Sequence, residues 1–247
     1  MRNIWTIAKR EYDNYFNSPL AYVVAFVILL ILGFIFAAIM LFSSQQAMFG
    51  GPAPDTEQLT WWFSFLLMIA VPILTMRLIS DEARMGTLEL MLTAPVRDLE
   101  LVVGKWLGAF LYVFTLATAT LIYPVIMDNF ITPGLDWRAV FAAYIGLILF
   151  SSTLIALGVG ISAMFTNQFA AFFITFGLFI FLAFFVGIPA NILDKGGDVF
   201  DYLSFGTHFF NSMNRGTINL GDIVYFLSLT ALGLFTGSTA IEIRRWR

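Results

Sequence analysis

From Ala139 to Leu193 the chain runs for 55 residues without one Asp, Glu, Lys or Arg. No helix or strand in that stretch has a charged face to turn toward water. A bilayer core takes about 20 apolar residues per helix, so the stretch holds two membrane spans and a tight turn between them. The triplet Thr166-Asn167-Gln168 is the only polar cluster near its middle and supplies that turn. The rest of the chain follows suit. Charged residues make up 12% of it, against about 25% in soluble domains, and they are gathered into a few short inserts.

Six uncharged or nearly uncharged runs are long enough to cross a membrane: about 20–42, 59–79, 102–126, 139–165, 169–191 and 222–241. Barrel strands would be shorter and would alternate in polarity, which these runs do not. The fold class is therefore an all-α integral membrane protein, with residues 1–247 read as one transmembrane domain. Arg77 and Lys105 stand at span ends, where a long side chain is expected to snorkel to the interface. Pro72 and Pro124 are expected to kink spans two and three.

Basic residues set the orientation. Arg2, Lys9, Arg10, Arg77, Arg84, Arg97, Lys105, Arg244, Arg245 and Arg247 fall on the side of both termini and the 2–3 loop. Only Arg138, Lys195 and Arg215 fall on the other side, among eight acids. Both termini are thus expected in the cytoplasm. Ahead of span one, Ile4, Ala8, Tyr12, Tyr15 and Phe16 recur at helical spacing, which predicts an interfacial helix over 1–17 along the inner leaflet. Ahead of span six, Tyr202, Phe205, Phe209 and Met213 recur at i, i+3, i+7 and i+11. They predict an outer amphipathic helix, embedded at the interface or packed as a lid.

Several functions are disfavoured. Cysteine is absent, so disulfides and thiolate zinc sites are excluded. The net charge of −3 and the lack of a basic run give no footprint for nucleic acid. His208, the sole histidine, falls outside the spans, where a surface or interfacial role is expected rather than catalysis. Asp194, Asp198 and Asp201 resemble solvated loop acids more than a hard-cation site. No span carries an ionisable residue near mid-bilayer of the kind an ion-coupled carrier uses.

The 2–3 loop, Ser80 to Arg97, is the chain's most distinctive insert. Gly86 is expected to break the helix leaving span two. Thr87 is a candidate N-cap, with Glu89 in the favourable first turn of a new helix. Pro95 ends that helix, Leu88 to Ala94, at about seven residues, too short to hold alone. A partner or the membrane surface must support it.

The order of these residues is specific. An acid–Arg pair (Glu82, Arg84) precedes Gly-Thr-Leu-Glu, then Thr-Ala-Pro-Val, then a Gly-Lys heading span three. It resembles the first cytoplasmic loop of type-2 ABC transporter permeases. The nearest likeness is the six-span bacterial branch of gliding-motility and nitrous-oxide-reductase maturation permeases, and it extends over the whole chain. The resemblance implies the transmembrane subunit of an exporter in the bacterial cytoplasmic (inner) membrane. Its short helix would be a coupling helix, with Glu82, Arg84, Gly86, Thr87, Leu88 and Glu89 contacting or positioning a separate ABC ATPase subunit. Thr166, Asn167 and Gln168 form a second candidate contact on the same side.

Such a permease would pair with a second copy of itself or a homologous permease, surrounded by membrane lipids. Gly104-xxx-Gly108 and Gly233-xxx-Gly237 are candidate close-packing sites. The chain is not expected to be an enzyme or to hold a cofactor, because Gly104-Lys105 lacks the preceding glycines of a phosphate-binding loop. ATP and Mg would belong to the partner. The alternative is a non-transporting scaffold or sensor that recruits a cytoplasmic protein through the same loop.

Overall fold

Without water to solvate the peptide groups, an apolar run must satisfy its backbone internally, and the helix is the form that does so within one segment. The computed structural model is accordingly all-α. It describes residues 2–47, 49, 54–87, 96–131, 134–192 and 196–245. No strand occurs among the described residues.

The helices are α1 (Arg2–Asn17), α2 (Pro19–Ala47), α3 (Glu57–Thr75), α4 (Ser80–Arg84), α5 (Asp98–Thr120), α6 (Ile122–Phe130), α7 (Trp137–Met164), α8 (Gln168–Ile180), α9 (Gly197–Leu203) and α10 (Leu220–Arg245). Among the described residues six stretches are long and apolar enough to cross a membrane: Pro19–Gln46, Glu57–Arg84, Asp98–Phe130, Trp137–Met164, Gln168–Phe185 and Leu220–Arg245. The fifth continues from α8 through a π-helical turn, Phe181–Phe185.

Helix α7 is the centre. It packs against α3, α5, α8 and α10, and most of its side chains are buried. Lipid offers no hydrophobic drive for helices to associate, so close backbone approach and inter-helix hydrogen bonds must do it. Both are present where α7 crosses α10. A Cβ on Gly160 would lie 2.6 Å from the Gly233 carbonyl oxygen, and one on Gly233 would lie 2.6 Å from the Ala156 carbonyl carbon. One helical turn or more away, the Thr153 hydroxyl donates to the Phe226 carbonyl at 2.9 Å. The indole of Trp106 in α5 reaches the Ser152 carbonyl at 3.0 Å. By contrast α2 and α8 turn Phe26, Phe34, Phe169 and Phe173 outward, the faces that lipid would cover.

Proline leaves one visible mark. Span three breaks at Leu121, between α5 and α6. Pro124 lacks an N–H, and its ring clashes with the carbonyl four residues earlier, that of Thr120. Pro72 is carried inside α3, which ends three residues later.

The segment before span six departs from the expected single amphipathic helix. It is broken into α9, a π-helical turn over Gly206–Phe210 and a 3-10 turn over Met213–Arg215. Phe205, Phe209 and Met213 are fully buried, with Phe209 stacked on Phe150 of α7 at 4.9 Å. This segment is a lid tucked into the bundle, not a helix floating at an interface.

Helix α1, α4, the starts of α5 and α8, and the last turn of α10 meet at one end of the bundle. The lid closes the distal end.

Candidate functional site

The site is built where span two ends. Helix α3 stops at Thr75, and the chain turns before α4 begins at Ser80. The first N–H groups of a helix have no partner within it. Here the Ser162 hydroxyl of α7 accepts from the N–H of Ile79 at 3.3 Å and of Ser80 at 3.2 Å. Span four therefore fixes the direction in which α4 leaves the bundle.

Helix α4 carries three charged side chains with distinct fates. Arg84 is largely exposed and forms an i,i+3 pair with Asp81 at 3.5 Å. Asp81 also accepts from the side-chain amide of Gln168 at the head of α8. Glu82 turns inward, where its Oε1 lies 2.7 Å from Lys105 Nζ. The same ammonium lies 3.1 Å from Glu11 Oε1 of α1, and Arg10 flanks that carboxylate at 3.2 Å. Lys105 is 1% exposed. It does not snorkel, because two carboxylates meet it inside. One ammonium thus joins α1, α4 and α5, and the second Glu82 oxygen, Oε2, is buried with no hydrogen-bond partner among the described residues.

Burying a lysine is tolerable only when it is paired and hydrogen-bonded. Helix α1 makes this possible by pressing closely onto α5. A Cβ on Gly104 would stand 2.7 Å from the Ile7 Cβ, and one on Gly108 would stand 2.6 Å from the Glu11 Cβ. The Gly104-xxx-Gly108 pair is a groove for α1 of the same chain. Likewise Gly233 is used against α7, and Gly237 against Val102 of α5 and Gly160 of α7, within the chain.

The buried face of α1 is Ala8, Glu11 and Tyr15. The Tyr15 hydroxyl donates to the Leu74 carbonyl of α3 at 3.2 Å, and its ring stacks on Tyr112 at 4.9 Å. Burial, reinforced by the nearby Glu11 carboxylate, pushes the Tyr15 phenol well above the ordinary tyrosine range, so it stays a donor. Tyr112 in turn donates to the Ala21 carbonyl at 2.6 Å, tying α5 to the first turn of α2. An open cleft of about 490 Å³ lies between α1, α4 and the ends of these spans.

Beyond α4 the chain emerges. Met85 and Gly86 are exposed, and Gly86 has φ +72°, a left-handed turn that ends the helix as expected. The N–H groups that Thr87 is expected to cap, those of Glu89 and Leu90, lie outside the described residues. The Thr87 backbone is already helical, and the Thr87 hydroxyl donates back to the Glu82 carbonyl at 3.3 Å. Leu88 and Glu89, with the rest of the expected short helix to Ala94 and Pro95, lie outside the described residues.

The chain returns at Val96. The Glu100 carboxylate accepts from the Arg97 N–H at 3.3 Å and from the Asn3 side chain at 3.2 Å. Arg245 of α10 reaches Asp98 at 2.5 Å. Thr166 and Asn167 are exposed. Asn167 caps α8 by accepting from the Phe169 N–H at 2.9 Å, and Gln168 joins the site through Asp81.

Of the sequence-derived candidates, Glu82, Arg84, Gly86, Thr87 and Gln168 cluster at this end, with Glu82 and Gln168 acting as internal ties. Glu11 and Ser162 were missed. Glu11 could have been found, since it shares the i, i+3, i+7 face of Ala8 and Tyr15; Ser162, one of three serines in its apolar span, gives no such signal. The site is an exposed polar corner wired through buried charge to three helices.

The distal end needs one correction. His208 is 5% exposed and lies within the lid, bonded to Asp222 and the Tyr202 carbonyl. Asp201 is exposed and holds the Thr207 hydroxyl at 2.7 Å, Asp198 is exposed, and Asp194 lies outside the described residues. Among the described residues no group of three or more His, Asp or Glu is placed to hold a metal.

A comparison with curated proteins returned no match. A family model described as ABC-2 type transporter matches residues 2–217. That match covers most of the chain, including α1, the 2–3 segment, five of the six spans and the lid. With its six membrane-crossing helices, this chain belongs to the ABC-2 type transporter family of membrane permeases.

Proposed function

We propose that the chain is the permease subunit of an ABC exporter, driven by a separate ATPase subunit that docks on the 80–97 segment. In this reading it is one membrane domain of the bacterial inner membrane, with both termini in the cytoplasm, and it works beside a second permease copy or a homologue. The residues that meet the ATPase are Arg84, Gly86, Thr87, Leu88 and Glu89, with Thr166 and Asn167 adjacent. ATP and Mg are held by the partner.

The observation that supports this best is the Lys105 junction. A docking segment transmits force only if it is rigidly tied to the spans, and Glu82 ties it to α5 and α1 at 2.7 and 3.1 Å through one ammonium. Gln168 adds a tie to span five. Movement imposed on the 2–3 segment would reach spans two, three and five together. The excess of Lys and Arg at this end supports its cytoplasmic placement.

The test is Glu89→Arg. It should leave membrane insertion and expression unchanged while removing co-purification with an ATPase from native membranes. If the complex survives with unaltered ATP hydrolysis, the docking assignment is wrong.

A further inference from the structure

The cleft between α1, α4 and the ends of spans one and two has a volume of about 490 Å³. Sites for small ligands run from about 300 to 1,000 Å³. Three side-chain donors in its wall have no hydrogen-bond or ion-pair partner among the described residues: Asn14, Ser18 and Arg77. Asn14 and Ser18 stand one turn apart at the end of α1, and Arg77 stands just past the end of α3. Guanidinium, amide and hydroxyl are the groups by which proteins hold phosphate oxygens.

The charge balance of the cleft agrees. Glu11 and Glu82 are matched by Arg10 and Lys105, and Asp81 is matched by Arg84. Those three acids and three bases cancel. Arg77 is left over, so the cleft carries one uncompensated positive charge and suits a ligand with a single negative one.

Depth selects among anions. Leu20 lies in the first turn of α2, and Leu74 and Leu78 flank the end of α3, so apolar wall continues from the donors toward the membrane-crossing segments. Helix α1 exposes Trp5 beside this cleft's rim helix face, and tryptophan favours the headgroup level of a membrane. A soluble anion would leave the apolar wall uncovered. A lipid covers it and brings the phosphate.

We propose that this cleft binds one anionic phospholipid from the adjoining leaflet. Arg77, Asn14 and Ser18 hold its phosphodiester, and its acyl chains run along Leu20, Leu74 and Leu78. The lipid ties α1 to the end of span two by a route that does not pass through Lys105. A zwitterionic lipid offers the same phosphate but adds a cation where Arg77 already stands, so headgroup charge sets the affinity.

The test uses the full chain purified in detergent, with dioleoyl phosphatidylglycerol added and native mass spectrometry counting the lipid held. One phosphatidylglycerol per chain should bind tightly, and phosphatidylcholine should bind about tenfold or more weakly. Arg77→Gln removes a charge-assisted hydrogen bond and should weaken phosphatidylglycerol binding about tenfold or more. Asn14→Asp keeps the side-chain shape, sets a carboxylate against the phosphate and should weaken binding comparably. Both positions are exposed, so each variant should elute as the parent does; if one fails to fold, the other decides. Arg138→Gln removes the same charge from an exposed position at the distal end and should bind as the parent does. Free glycerophosphoglycerol, the headgroup without acyl chains, should not displace the lipid at equal concentration. Equal binding of phosphatidylcholine, or parent-like binding by a folded Arg77→Gln or Asn14→Asp variant, overturns the proposal. So does a loss in Arg138→Gln equal to that in Arg77→Gln, or displacement by the free headgroup.

Discussion

Replacing Lys105 with Met separates a buried junction from an ornamental one. The substitution keeps the aliphatic volume and removes the ammonium. Glu11 retains Arg10 at 3.2 Å, but Glu82 loses the ammonium that holds its Oε1, and its Oε2 has no hydrogen-bond partner among the described residues. A surface ion pair is worth at most about 1 kcal/mol. Stripping one partner from a buried pair costs about 3–5 kcal/mol, because an uncompensated charge remains. Lys105 is 1% exposed, so the larger figure applies. At about 2–4 °C per kcal/mol for a chain of this size, the Tm should fall by roughly 6–20 °C.

Glu82→Gln alone should cost less, about 1–2 kcal/mol, since Lys105 still has Glu11. The decisive variant is the double one. Lys105→Met with Glu82→Gln should be more stable than Lys105→Met alone, because the orphaned charge is gone. Thermal denaturation of the detergent-purified protein, followed by tryptophan fluorescence and by retention as a monodisperse peak, gives all the values. A Lys105→Met variant within about 2 °C of the parent would refute the reasoning. So would a double variant whose loss is the sum of the singles.

Other outcomes follow from the same geometry. Gly108→Ala places a Cβ 2.6 Å from the Glu11 Cβ and 2.8 Å from the Ala8 carbonyl oxygen. It should therefore cost about 1–3 kcal/mol and lift α1 from α5, read as faster proteolysis within residues 2–17. Single thiols at Ser44 and Met85 should be labelled by an impermeant reagent from opposite faces of the membrane, Met85 from the cytoplasm. Labelling of both from one face would overturn the topology.

The spans were legible because lipid leaves a chain few options, and a run of 55 uncharged residues admits only helices. The same simplicity hid the centre of the bundle. An apolar span that is hydrophobic all round shows no preferred face, so nothing in 139–164 announced that α7 would stand at the centre of the bundle.

Charges were misjudged wherever tertiary contacts decided their fate. A lysine heading a span ordinarily reaches for the interface, and only the arrival of Glu11 and Glu82 from two other elements keeps Lys105 inside. His208 lay between apolar residues spaced for one helix. The π-helical and 3-10 turns that actually form there bring it against Asp222, fourteen residues later. Gly104 and Gly108 were legible as a close-packing site but not its occupant, which is α1 of the same chain. The Thr87 hydroxyl bonds backward to the Glu82 carbonyl, a tie across the Gly86 turn that no sequence pattern announced.

The central claim is that an ATP-hydrolysing partner sits against the exposed corner beyond α4. A photo-cross-linker attached to a thiol at Met85, which is 63% exposed, tests it directly in the complex isolated from native membranes. The account predicts one dominant adduct, to a cytoplasmic ATPase subunit, lost when Glu89→Arg is added. Adducts confined to lipid or to the permease itself, in a preparation that hydrolyses ATP, would contradict it.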